Sequence, residues 1–310
     1  MQQRNLVQYL VISLKGMAMG AADVVPGVSG GTIAFISGIY EELLASISAV
    51  NFNTLKVLKN EGLSAAWKKV NGNFLSALLF GIFISVLSLS KLISFLLEHH
   101  PILVWSFFFG LVLASILFVA KQISKWNFVT VLFLIFGAVI AFYITTLQPM
   151  VTENSSPLFI FIAGALAICA MILPGISGAF ILVLLGAYKP VLEAIHDKNF
   201  KLLIILIAGA VVGLLSFSKI LNWLFNNYKN FTLAVLTGFI LGSLNKIWPW
   251  KETLTWRLNS YGEQVPFNEQ SISPLNFNGD SQLIYAVLLA IVGFALILLL
   301  EKIANPVLKK

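Results

Sequence analysis

The sequence predicts an all-α polytopic membrane protein built from two inverted-topology repeats, each a broken-helix hairpin followed by three transmembrane helices. Three observations carry that expectation. The composition is too apolar for a water-facing surface, uncharged runs of bilayer length recur along the chain, and a Pro-Gly-x-Ser-Gly motif occurs twice at matched positions.

Of 310 residues, 58% are hydrophobic and 11% charged, and the mean hydropathy is +0.91. Soluble domains keep roughly a quarter of their residues charged. Lipid is the solvent that fits this chain, and it demands helices of about 20 apolar residues. The formal charge of +7 does not point to nucleic acid. The basic residues fall in short loops between apolar runs, where they orient membrane helices. A lone cysteine, Cys169, excludes an internal disulfide and a cysteine metal cluster. His99, His100 and His196 fall at expected helix ends and read as interfacial, so neither a metal nor a cofactor is expected.

Repeat one, residues 1–150, opens with a hairpin over 6–50. Its first apolar stretch, Leu6 to Ala22, holds Lys15 and runs straight into Val25-Pro26-Gly27-Val28-Ser29-Gly30-Gly31, so it reads as mature fold and not as a cleaved signal. Pro removes a backbone donor and clashes with the preceding turn, while Gly lifts the steric bar to an open conformation. Together they break a helix. Spans follow at 74–97, 102–120 and 128–147. Repeat two, residues 151–310, has a hairpin over 158–195, interrupted at Leu173-Pro174-Gly175-Ile176-Ser177-Gly178, and spans at 202–225, 231–247 and 283–300. Hairpin arms of about 17–22 residues permit either re-entry or a full crossing.

The duplication is the strongest signal. Pro26, Gly27, Ser29, Gly30, Gly38 and Tyr40 recur 148 positions later as Pro174, Gly175, Ser177, Gly178, Gly186 and Tyr188. Ser88-Leu89-Ser90-Lys91 recurs 128 positions later as Ser216-Phe217-Ser218-Lys219, and Gly110 and Ser115 recur at that same distance as Gly238 and Ser243. Gly137 answers to Gly293. The fall in offset is the extra loop from Asn51 to Asn73 in the first copy. A hairpin plus three spans makes an odd number of crossings, which inverts the second copy. Lysines agree: with both termini cytoplasmic, the inner loops carry Lys56, Lys59, Lys68, Lys69, Lys121, Lys125 and Lys229, while Glu98–Pro101 and Gln148–Pro157 carry none. Lys198 and Lys201 run mildly against that orientation.

Inverted repeats with broken helices are the architecture of secondary transporters. A break exposes backbone N–H groups at the start of the second arm, and these, with the helix dipole, favour an anion. The second arms begin near Ser29 and Ser177; Gly30, Gly31 and Gly178 would let an oxyanion approach, and Ser29, Thr32 and Ser177 would add hydroxyl donors. The competing reading is a packing kink between close helices. Lys91 and Lys219 lie within or near the ends of apolar spans. They are either functional intramembrane charges that neutralise an anion or side chains that snorkel to the interface. Asp23, near the first break, could carry a coupling proton, help bind sodium, cap a helix start or pair with Lys15. Glu42 is a weaker coupling candidate; with Glu41 and Glu193 it also reads as interfacial.

The segment from Gly20 through Asp23, Pro26, Gly27, Ser29, Gly30 and Gly31 to Thr32 resembles the first signature of the bacterial polyprenyl-phosphate transporter family. Leu173 to Gly178 followed by Gly186-Ala187-Tyr188 resembles its second, and the resemblance covers essentially the whole chain. It implies a flippase in the bacterial cytoplasmic membrane that returns undecaprenyl phosphate to the cytoplasmic leaflet for cell-envelope recycling. A phosphate head on a long apolar tail suits a donor-rich path open sideways to lipid. Only Arg4 and Arg257 are present, so bidentate arginine capture is not expected. The alternative is a secondary transporter of a small soluble anion. A membrane enzyme is disfavoured because the sequence lacks the acidic pairs and metal-ligand spacings such enzymes need.

Overall fold

The computed structural model describes residues 4–25, 27–150, 156–258 and 264–304. The chain is a polytopic helical membrane protein. Helix α1 (Leu6–Val24) starts on a capping box, in which Gln8 N donates to Asn5 Oδ1 and Asn5 N to Gln8 Oε1. Its Leu6, Val7, Leu10 and Leu14 form an exposed apolar stripe suited to lipid, while Ile12, Gly16, Met19 and Gly20 face inward. The chain then turns at Gly27, whose φ of +85° is a left-handed value that a side chain would strain. It returns as α2 (Gly30–Ile36) and α3 (Tyr40–Ser48). The second copy repeats this order as α9 (Pro157–Ile172), a turn at Gly175 with φ +94°, α10 (Gly178–Leu184) and α11 (Tyr188–His196). α10 and α11 meet at 106°. Each return arm, α2 or α10, has seven residues. It therefore rises only about 10 Å, well short of a hydrocarbon core of about 30 Å.

The extra segment of the first copy forms α4 (Phe52–Glu61) and α5 (Leu63–Lys69). The spans of that copy are α6 (Gly72–His99), α7 (Pro101–Lys121) and α8 (Phe128–Thr146). Those of the second are the two arms of α12 (Phe200–Ser243) and α13 (Leu283–Ala304). The loop expected between 225 and 231 is a single non-helical residue, Tyr228, with φ −136° and ψ 43°. His100, between α6 and α7, has φ −136° and ψ 50°. One turn geometry therefore serves both copies. Pro101 lacks the N–H that would carry the helical ladder through, and Lys229 has it.

The long loop after α12 was expected as plain connection. It instead holds an antiparallel pair, β1 (Lys251–Leu258) and β2 (Gln264–Ser271). Strand-forming Thr253, Thr255 and Trp256 were present, but no Asn-Gly or Asp-Gly stands in the sequence between the two strands. Trp248 and Trp250 seat the pair by donating from Nε1 to the carbonyls of Ile272 (2.8 Å) and Ser281 (2.9 Å).

Glycines at copy-equivalent positions set the helix seams. α1 meets α6 through Gly16 and Gly81, and α9 meets the first arm of α12 through Gly164 and Gly209. α7 meets α13 through Gly110 and Gly293, and α8 meets the second arm of α12 through Gly238 and Gly137. A Cβ at Gly81, Gly209, Gly110 or Gly238 would strike the backbone carbonyl of Ser13, Phe161, Ala290 or Leu134 respectively. Without a hydrophobic drive between helices in lipid, this close backbone approach supplies the packing energy. The third span of each copy thus packs along the second span of the other. Gly81→Leu and Gly209→Leu are each expected to cost at least about 1–3 kcal/mol by overpacking. The check is a matched fall in unfolding temperature in detergent; unchanged unfolding in either would show that seam to be loose.

Candidate functional site

Two charges on α1 clamp the ends of α2. Gly30 N donates to Asp23 Oδ1 at 2.7 Å, and Lys15 Nζ donates to the Ser37 carbonyl at 2.6 Å. A carboxylate thus sits at the N-terminus of α2 and an ammonium at its C-terminus, each opposing the local end of the helix dipole. Gly31 N donates to Ser29 Oγ at 3.1 Å. The Gly30 and Gly31 amides expected to meet an anion are therefore partnered within the hairpin. Of the roles open to Asp23, the structure displays the helix cap, and Lys15 pairs elsewhere.

The two breaks meet. Ser29 Oγ lies 3.2 and 3.1 Å from the carbonyls of Met171 and Leu173 and shares its proton between them. Tyr40 Oη donates to the Ile172 carbonyl at 3.1 Å, and Gly175 N donates to Thr32 Oγ1 at 3.0 Å. Hydroxyls of the first break thereby satisfy the carbonyls that α9 leaves unpaired at its end. Ser29, Thr32 and Ser177 are all buried.

The copies are not equal around this junction. All seven residues of α2 are buried and none of α10 is. Where α1 has Lys15 and Asp23, α9 has Ala163 and Met171, and Ser177 makes no cap to α10. Beside α10 lies a cavity of about 340 Å³ on the face carrying the β-hairpin, lined by Phe142, Gln148, Phe180, Lys246 and Glu269 among others. Lys246 was counted in the sequence only as a loop charge. Its stem packs on the first break, where a Cβ at Gly27 would lie 3.0 Å from Lys246 Cγ, and its ammonium is 4.9 Å from the Phe180 ring centroid. Nothing in its sequence context separates it from an interfacial lysine.

Lys91 and Lys219 are exposed at equivalent positions of α6 and α12, and the polar contacts of the junction come from other residues. Glu42 accepts both guanidinium nitrogens of Arg4 (2.6 and 2.8 Å) and Asn71 Nδ2 (2.7 Å), tying α3 to the starts of α1 and α6. Its neighbour Glu41 accepts from Lys229 Nζ at 2.7 Å, beside the Tyr228 turn.

Residues 19–265 match the family described as undecaprenyl phosphate translocase-like. The chain belongs to that family. The matched span of this translocase-like chain takes in both breaks, the cavity lysine and most of the β-hairpin. A polyprenyl-phosphate transporter of Vibrio cholerae serotype O1 is 53% identical over 303 residues, covering 96% of this chain and 98% of that protein. A polyprenyl-phosphate transporter of Staphylococcus aureus is 36% identical over 253 residues, covering 76% of this chain and 85% of that protein. No solved structure matches the chain.

Asp23→Ala is expected to lower stability by about 1–2 kcal/mol through loss of the cap, and Asp23→Asn by less, since Asn also caps; thermal unfolding of the two variants checks this. Outside the membrane segments, burial pushes the Lys251 ammonium down to about 8, with Glu269, 3.7 Å away, pulling it back up. The folded value lies below the ordinary 10.5. Unfolding therefore takes up a proton between those limits, and the fold gains stability as pH rises through that window. A Lys251 titration midpoint near pH 8, moving lower in Glu269→Gln, is the expected measurement.

Proposed function

We propose that this chain carries undecaprenyl phosphate across the bacterial cytoplasmic membrane, returning the phosphate head to the cytoplasmic leaflet for reuse in envelope assembly. Membership of the translocase-like family and the two polyprenyl-phosphate transporters it resembles support lipid-phosphate transport. The observation that carries the mechanism is the joined pair of breaks with unequal surroundings. One return arm is sealed on every side, and its counterpart borders a cavity.

In this reading the repeats are inverted. α6, α7 and α8 follow one another through short turns and alternate in direction. α8 runs parallel to the second arm of α12, with Leu134 and Ala138 against Gly238 and then Ala138 and Phe142 against Gly242. That arm therefore opposes α7, its counterpart. The distribution of lysines supports cytoplasmic termini and a β-hairpin outside. The sealed α2 and the open α10 are then two halves of one exchange, and the opposite state closes α10 and frees α2.

The head passes the junction formed by Ser29, Gly30, Gly31, Thr32, Ser177 and Gly178, while the tail stays in lipid. Lys91 and Lys219, on the outer faces of their helices, meet the head before and after that passage. A proton or sodium gradient, acting through Asp23, is the proposed drive; Glu42, already held by Arg4 and Asn71, contributes by holding the cytoplasmic side closed.

Reconstitution with labelled undecaprenyl phosphate tests the reading. Leaflet exchange is expected to depend on the protein and to respond to an imposed gradient. Gly178→Leu is expected to cut exchange at least about tenfold while the protein stays folded, since its Cβ would stand 2.7 Å from the Ala167 carbonyl and crowd the second break. Release of phosphate from the lipid, or flux of a soluble anion without lipid exchange, would sink the proposal.

A further inference from the structure

Lys246 sits where three walls meet. Its stem lies on Gly27 of the first break, its ammonium faces the Phe180 ring of α10, and the remaining side opens on the cavity of about 340 Å³. Among the described residues its ammonium makes no hydrogen bond and no ion pair. The acid facing the same space, Glu269, is drawn 3.7 Å from Lys251 Nζ, and Lys251 in turn stacks 4.1 Å over the Trp105 ring. Two ammonium groups therefore share one carboxylate, leaving a surplus positive charge beside a site half shut off from water. A half-buried cation without its own partner is costly. An incoming anion relieves that cost.

The lining combines polar and apolar side chains. Gln148, Asn245 and Gln270 bring carboxamides to the lining alongside Lys246. Phe142, Leu147 and Leu254 also line it and are themselves exposed, so apolar lining reaches the molecular surface. Such a volume sits at the small end of ligand sites, roughly 300–1,000 Å³, and suits a head group with the first part of a chain.

We propose that this cavity is the resting site, on the β-hairpin face, for a phosphate monoester carried on a polyprenyl chain. Lys246 is the counter-ion of the phosphate, and the carboxamides of Gln148, Asn245 and Gln270 complete its hydrogen bonds. The tail leaves between Phe142, Leu147 and Leu254. Glu269 holds Lys251 and tempers the charge, so that the head binds yet still departs. The assignment rests on the reading that the chain moves a polyprenyl phosphate, and it adds a residue that the two repeated motifs do not contain.

The test uses the full chain in nanodiscs of phosphatidylcholine and phosphatidylglycerol at pH 6.5, with undecaprenyl phosphate or inorganic phosphate as separate probes. Leaflet exchange is measured on the same preparations in vesicles. Lys246→Met is expected to weaken binding of the lipid at least about tenfold, and Lys246→Arg to stay within about threefold of the parent. Glu269→Gln is expected to tighten binding about threefold, a gain that a folding defect does not produce. Inorganic phosphate should bind more weakly, with the same dependence on Lys246. Parental lipid affinity in Lys246→Met overturns the site, and normal exchange by the parent then leaves the transport reading standing. A loss in Glu269→Gln as large as that in Lys246→Met also overturns it. A parent that binds inorganic phosphate but neither binds nor exchanges the lipid overturns both.

Discussion

The opposed charges of Lys15 and Asp23 on α1 are what the rest of the structure depends on. A seven-residue helix buried on all sides has unpaired amides at one end and unpaired carbonyls at the other, with no water to meet either. The carboxylate takes one end and the ammonium the other, so α2 is held at the centre of the bundle. Burial of Phe35, Tyr40 and Phe225 as one ring cluster follows, with centroids 4.7 Å (Phe35 to Tyr40) and 5.8 Å (Tyr40 to Phe225) apart. Only from that fixed position do Ser29, Thr32 and Tyr40 reach the second break.

The second copy keeps the backbone plan and drops the charges. Gly175 repeats the turn of Gly27, and α10 repeats the length of α2, but Ala163 and Met171 offer nothing to its ends. α10 is correspondingly half open. Similar backbone geometry with unequal fixing leaves the return arm of one hairpin clamped at both ends and that of the other without those clamps. The Arg4–Glu42 and Lys229–Glu41 pairs strengthen the same bias, since both adjacent acids of α3 are tied to neighbouring elements. The corresponding segment, α11, has an exposed Lys189–Glu193 pair within its own helix.

Much of the architecture was legible because lipid imposes simple rules. Span lengths, Pro-Gly breaks and the matched motifs are local features, and they fall where the helices and breaks lie. What escaped was pairing. Asp23 offered a cap, a coupling group or a partner for Lys15, and no rule of spacing ranks these until α2 is seen folding back beside α1. The free amides expected at the first break were real donors, but a carboxylate seven residues upstream already accepts one of them. Lys246 resembled any interfacial lysine, since its neighbours Gly27 and Phe180 are far away in sequence. The Tyr228 turn was hidden because a single residue redirects the chain with no Gly or Pro to announce it.

The crossed seams make the two halves interdependent. Gly110 on α7 fits α13, and Gly238 on α12 fits α8, so neither half can fill its own grooves. Each second span would stand uncovered along one face without the third span of the other half.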